Sequence, residues 1–216
     1  MPDALVLFAK APLPGRVKTR LTPPLSAEQA AEFHWACVCD VWDKIEQVSV
    51  TSRYFYSDNA GADHEVPAVP EQRGLQRGSD LGDRMFNCFQ ELRARGHTRV
   101  LIVGSDSPTL PLAYIEQGLE ALERTDVVLG PSEDGGYYAI GCRQPYPQMF
   151  AGVPWSSGDT LRRTEASLHA LGLRVHHLPS WYDVDTAKDL RRLAGEASLP
   201  AHVGRWMAEN RFLLES

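Results

Sequence analysis

Four groups of residues have the types and spacings that do chemistry. Lys10, Arg16, Lys18 and Arg20 place four cations within eleven residues of a chain whose net charge is −6. Such a cluster can neutralise a di- or triphosphate, with Gly15 allowing close backbone approach, or it can be a solvated basic loop. Asp106 is a solitary acid that follows the apolar run Val100, Leu101, Ile102 and Val103 and then Gly104 and Ser105. It can meet a metal or a polar ligand, or cap a turn with its own side chain. Glu133 and Asp134 precede Gly135 and Gly136, where an acid can orient or deprotonate an acceptor hydroxyl; the same Asp-Gly-Gly run also suits a plain hairpin turn. Asp183 and Asp185 share one face of an extended segment, and either can return towards Asp106 to complete an oxygen site for magnesium or manganese. Capping of the following helix by Asp185 or Thr186 is the simpler use of the same residues.

The elements around these groups must hold them at one sheet edge. Residues 100–103 are too uniformly apolar for a half-exposed strand and suit a parallel strand covered on both faces, with ligands at its carboxyl end. Pro108 and Pro111 stop that strand, and Pro111 is suited to the first position of the next helix. Residues 4–8 form a strand candidate that leads straight into the cation loop, after which Ser26 and Gln29 have capping-box spacing. A second strand lies within 48–57. Residues 59–78 show no period and are expected to be a loop of limited order. Leu81, Met85, Phe89 and Leu92 recur at helical spacing, between a cap at Ser79 or Asp80 and a stop at Gly96. Gly78, Asp80 and Arg84 lie near the start of that helix, where an anion or a nucleotide base can be received, or where they simply cap and pair.

Further helices are expected around Ile115, Leu119 and Leu122, around Leu161, Leu168 and Leu171, after Thr186, and from 201 onwards, where Val203, Met207 and Phe212 recur beside Trp206. Residues 126–130 and 174–178 read as strands, and the run from Tyr137 as an antiparallel edge strand. Trp155 can lie under a sugar or base, or pack in the core.

A chain of 216 residues with 43% hydrophobic and 23% charged residues suits a single α/β domain spanning 1–216. Its acidic balance argues against a nucleic-acid surface, and no run of about 18 apolar residues suggests a membrane span. With no signal-peptide pattern after Met1, a cytoplasmic location is expected. The four cysteines lack zinc-ligand spacing and are expected to be free thiols. Gly15, Lys18 and Thr19 resemble the end of a P-loop, but Val17 replaces the glycine before the lysine and the opening glycine is missing. No Gly-x-Gly-x-x-Gly fingerprint occurs either.

Taken in order, residues 10–21, 81–85, 104–108, 130–138 and 183–186 resemble a bacterial family of small glycosyltransferase-like proteins in the nucleotide-diphospho-sugar transferase superfamily, which has the GT-A fold. The chain is similar, more distantly, to guanylyltransferases that activate phospholactate. The resemblance implies a three-layer α/β/α domain with a mostly parallel central sheet and one antiparallel strand. By the second similarity, Lys18 and Arg20 would hold nucleotide phosphates, and Asp106 and Asp185 a metal. Pro108 stands where many metal-dependent GT-A glycosyltransferases carry the second acid of Asp-x-Asp, whereas nucleotidyltransferases commonly use one acid there and recruit another from a late strand.

The expectation is a divalent-metal transferase, with magnesium or manganese as cofactor and an activated nucleotide and a small-molecule acceptor as partners. Glycosyl transfer from a nucleotide-diphospho-sugar comes first, nucleotidyl transfer from a nucleoside triphosphate to a phosphorylated acceptor second, and a non-catalytic nucleotide sensor third. In this scheme Lys10, Gly15, Arg16, Lys18, Arg20, Gly78 and Arg84 contact nucleotide or phosphate. Asp106, Glu133, Asp134 and Lys18 serve catalysis, while Gly135, Gly136 and Trp155 face the acceptor.

Overall fold

The computed structural model describes residues 3–59, 68–155 and 157–210. Its centre is one sheet of seven strands: β1 (Asp3–Ala9), β2 (Ser52–Ser57), β3 (Arg73–Leu75), β4 (Arg99–Gly104), β5 (Val127–Pro131), β6 (Tyr137–Cys142) and β7 (Val175–His177). They lie in the order β3-β2-β1-β4-β6-β5-β7. β6 is antiparallel to β4 and β5, and every other pairing is parallel. Strand order reverses beside β1, so its carboxyl end and that of β4 form the crevice where ligands of open α/β sheets bind.

Both faces of the sheet are covered, as the uniformly apolar strands require. Leu5, Leu7 and Ala9 of β1 face α1 (Ala27–Gln47) and α3 (Leu112–Ala121), whose Val38, Trp42, Ile115 and Leu119 join the same core. Ala4, Val6 and Phe8 face the other way, into a core shared with Met85 and Phe89 of α2 (Leu81–Ala94) and Leu168 of α4 (Thr160–Ala170). A third cluster seats α5 (Ala187–Ala194) and α6 (Ala201–Glu209) on the outer side of α1, through Phe33, Cys37, Leu190 and Trp206. The result is a three-layer α/β/α arrangement. Among the described residues no helix is long and apolar enough to cross a membrane.

Local signals held where a specific hydrogen bond backs them. Ser26 caps α1 by a full capping box, accepting from Gln29 N at 3.2 Å while its own N–H donates to Gln29 Oε1 at 2.8 Å. Thr186 caps α5 in the same way with Asp189. Pro111 is the residue before α3 rather than its first helical residue. The four cysteines are free, as expected.

Two further expectations are corrected. The stretch 59–78 contains β3, preceded by a turn of 3-10 helix at Pro70–Gln72, although 60–67 lie outside the described residues. Arg-Gly-Leu carries no strand signal of its own: Gly74 is there because a Cβ would lie 2.4 Å from the Tyr56 ring, and tertiary packing decides the conformation. β6 is antiparallel but interior, not an edge strand; among the described residues the edges are β3 and β7. Phe212 falls outside the described residues.

Candidate active site

The acid after β4 and the lysine after β1 meet. Lys18 Nζ donates to Asp106 Oδ1 and, at 2.9 Å, to Asp185 Oδ1. The lysine side chain is 2% exposed, whereas those of Asp106 and Asp185 are 46% and 36% exposed. Burial alone would lower the Lys18 pKa, but the two carboxylates overcome it and hold the ammonium charged, well above its ordinary range. Burial would likewise raise Asp106, and Lys18 outweighs it to hold that carboxyl below its usual value. Lys18 has a left-handed backbone, φ 47°, which turns the chain from the loop into the short 3-10 helix Thr19–Leu21.

The segment that brings Asp185 back is laced to the strand ends. Val184 N donates to Asp106 O at 2.9 Å, and Trp181 N to Pro131 O at 3.1 Å. Asp183 accepts from Ser107 Oγ and Ser132 Oγ, both at 2.5 Å, and so joins the turns after β4 and β5 through one carboxylate. The Lys44 ammonium donates to Pro108 O, and His34, buried in α1, bonds through Nε2 to Lys10 O at 3.0 Å.

Burial, with Asp106 nearby, raises the Asp183 pKa to about 6 despite the two donated hydroxyls. The unfolded chain ionises this group near 3.8, so between these values the folded protein binds the extra proton. The group's contribution to stability is present at low pH and lost as pH rises through that window. In metal-free buffer, the melting temperature of Asp183→Asn minus that of wild type is expected to become more positive from about pH 4 to about pH 7. A pH-independent difference would remove this assignment.

A cleft of about 330 Å³ is lined by Lys10, Leu13, Arg16, Val17, Asp58 and Arg84, among others; Lys18 follows Val17 in the chain and the Lys10 charge is felt at Asp106, although Lys18 and its two acids do not themselves line the cleft. Lys10, Arg16 and Arg84 form no ion pair with a described residue, which leaves their charge for an anionic ligand. Asp58 Oδ1 accepts from Ala11 N at 2.8 Å and fixes the start of the basic loop, while the Gln76 amide donates to Ala9 O and Tyr56 O and closes the ends of β1 and β2. Gly78 has φ +148°, and a Cβ there would lie 2.5 Å from Asp83 Cβ; it makes the turn into α2, whose start carries Arg84. Arg20 is exposed on the 3-10 turn and does not line the cleft.

The other expected residues have visible structural work. Glu133 is held by Arg192 through two bonds, at 2.7 and 3.1 Å. Asp134 Oδ1 accepts from Gly136 N at 2.9 Å inside the β5–β6 turn. Gly135 packs against Gly158, and Trp155 covers Gly82 at the start of α2. Sequence reasoning left out Asp40, whose carboxylate accepts from His202 N and Val203 N and caps α6 from α1. With Asp43 and His202 it makes an acidic group of metal-binding dimensions. His34, Ser107 and Ser132 were also missed, because their role depends on which distant segments they touch. Burial pushes the Cys37, Cys88 and Cys142 thiols up, so none offers a thiolate near neutral pH.

Residues 43–157 match a family model described as "Uncharacterized protein conserved in bacteria (DUF2064)". The chain belongs to that family. The span matched in this DUF2064 chain includes Arg84, Asp106 and the turn at 133–136, and stops short of Asp185. A 2-phospho-L-lactate guanylyltransferase of Methanothermobacter thermautotrophicus is 28% identical, over 92% of this chain and 87% of its own. A solved structure from Desulfovibrio desulfuricans G20, described with the nucleotide-diphospho-sugar transferases, is 30% identical with a TM-score of 0.88, covering 100% of this chain and 98% of its own. CMP:2-keto-3-deoxy-manno-octonic acid synthetase, solved with CTP, shares the fold at a TM-score of 0.60 and 13% identity, covering 97% and 100%. The DUF2064 chain therefore has the nucleotide-diphospho-sugar transferase type of fold.

Proposed function

We propose that this chain is a divalent-cation-dependent nucleotidyltransferase, which joins a nucleoside triphosphate to a phosphorylated small acceptor and releases pyrophosphate. The observation that carries this reading is the convergence of Asp106, from the end of β4, and Asp185, from the late segment, on one lysine at the sheet's ligand edge. Pro108 denies the site the second acid of Asp-x-Asp. Similarity to a guanylyltransferase across 92% of the chain points the same way.

In this reaction an oxygen of the acceptor phosphate attacks the α-phosphorus, the bond to the bridging oxygen breaks, and pyrophosphate leaves. The attacking oxygen is already anionic, so no general base is required. Lys10, Arg16 and Arg84 receive the phosphates in the cleft, and Lys18 stabilises charge that develops on the leaving group. Asp106 and Asp185 suit magnesium or manganese: both are oxygen donors, they converge on one point, and their exposure leaves room for water and phosphate ligands. Such a cation, when bound, supplies Lewis-acid polarisation of the phosphoryl oxygens.

Glycosyl transfer from a nucleotide-diphospho-sugar is the second reading, favoured by the 30% identical relative. It would draw on Glu133 or Asp134 to activate a hydroxyl, and the engagement of both acids in Arg192 and the turn speaks for the first reading. The test supplies manganese with nucleoside triphosphates and phosphorylated hydroxy acids, and separately with nucleotide sugars. Pyrophosphate release is the expected result. Nucleoside diphosphate release from a nucleotide sugar alone would replace this reading by the second, and binding without turnover would leave a sensor.

A further inference from the structure

Lys18 stands where a cation shared by Asp106 and Asp185 would stand. Its Nζ bonds an oxygen of each acid, so the two carboxylates are already bridged by a positive charge. The lysine is enclosed, while the acids remain open to solvent on their other sides. A magnesium or manganese ion binds such oxygens at about 2.0–2.2 Å, and an ammonium within hydrogen-bond distance of the same oxygens opposes it by like-charge repulsion. The ion and the ammonium are therefore alternatives at this spot rather than neighbours.

The lysine also has somewhere else to go. Val17, just before it, and Leu21, three residues after it, are buried and anchor the backbone, and the left-handed Lys18 makes no side-chain capping bond that would be lost if its side chain turned. Arg16, two positions before it, already lines the cationic cleft with Lys10 and Arg84. Phosphates arriving in that cleft offer Nζ a new anion on a flexible four-carbon stem.

We propose that Lys18 is an internal counter-ion that holds Asp106 and Asp185 in place of a divalent cation and releases them only when nucleotide phosphates reach the adjoining cleft. Entry of the metal is thereby made conditional on the nucleotide. The proposal rests on the reading of Asp106 and Asp185 as metal ligands given above.

The test measures manganese binding to the full chain, without nucleotide, from the electron-paramagnetic signal of the free ion. Wild type is expected to bind weakly, and Lys18→Met, which keeps the stem and drops the charge, about tenfold or more tightly. That gain should vanish in Lys18→Met/Asp106→Asn, which separates this site from the Asp40, Asp43 and His202 group. Wild type binding as tightly as Lys18→Met overturns the proposal.

If Lys18→Met does not fold, wild type and Asp106→Asn decide. Equal, weak binding of manganese alone, with binding in wild type strengthened by a nucleoside triphosphate, supports the proposal. A loss of about tenfold or more on Asp106→Asn without nucleotide overturns it. Pyrophosphate release scores the reaction separately, so wild type that binds manganese tightly and still turns over refutes the lysine's role alone. The gain in manganese binding by Lys18→Met, with no pyrophosphate released by wild type, refutes the reaction alone.

Discussion

Asp106→Asn is expected to lower pyrophosphate release by about a hundredfold to a thousandfold, the usual cost of removing one preorganised electrostatic partner of a transition state. Asparagine keeps the shape of the side chain and can still accept from Lys18, so the loss isolates the charge. The fold should survive, because the Asp106 side chain is 46% exposed and its ion pair is partly screened by solvent. Val184 N bonds to the backbone carbonyl of residue 106, which the substitution leaves in place. Steady-state kinetics beside a circular-dichroism melt checks both halves. Unchanged turnover in a folded variant would remove Asp106 from the mechanism.

Gly135→Ala is expected to be the most damaging single-methyl change at the same edge. Gly135 has φ +90°, and a Cβ would lie 2.2 Å from the carbonyl oxygen of Gly158. That neighbour is backbone and cannot swing aside. The left-handed conformation costs a non-glycine residue about 1–2 kcal/mol and the overpacking about 1–3 kcal/mol more. For a chain of this size the sum corresponds to a fall in melting temperature of about 4–20 °C. Gly172→Ala is the control: its φ is +68° but nothing lies within 4 Å of its Cβ, so only the backbone cost applies. Equal melting temperatures for the two variants would show that the 135–158 contact is not tight.

These contrasts show which parts of the structure were legible in the chain. The placement of Asp106 could be read because an apolar run, a glycine and two prolines leave few ways to continue. The caps of α1 and α5 could be read because their partners lie three residues away. β3 could not, since Gly74 answers to a tyrosine ring from another strand. The interior position of β6 was hidden for a related reason: a hairpin after β5 says which way the next strand runs, not which strand lies on its far side. The basic loop announced its charge, but nothing local separates Lys18, which meets the acids, from Arg20, which stays exposed. Asp183 could be read as an acid returning to this edge, but its work of joining Ser107 to Ser132 could not, and His34 gave no signal, because both tie together segments far apart in sequence.

The reversed direction of β6 bears on how finely the candidate site is placed. Because this strand runs against β4 and β5, its beginning lies at the edge where they end. The chain leaves β5 and re-enters the sheet through the short turn at 132–136; a parallel strand would have required a crossover of a dozen residues or more. Ser132 is thus clamped between two paired strands within a few residues on either side, and through its hydroxyl Asp183 inherits that rigidity. The rim of acids takes its tolerances from sheet hydrogen bonds, in the way a jig is set by the bench it is bolted to rather than by the arm that reaches over it.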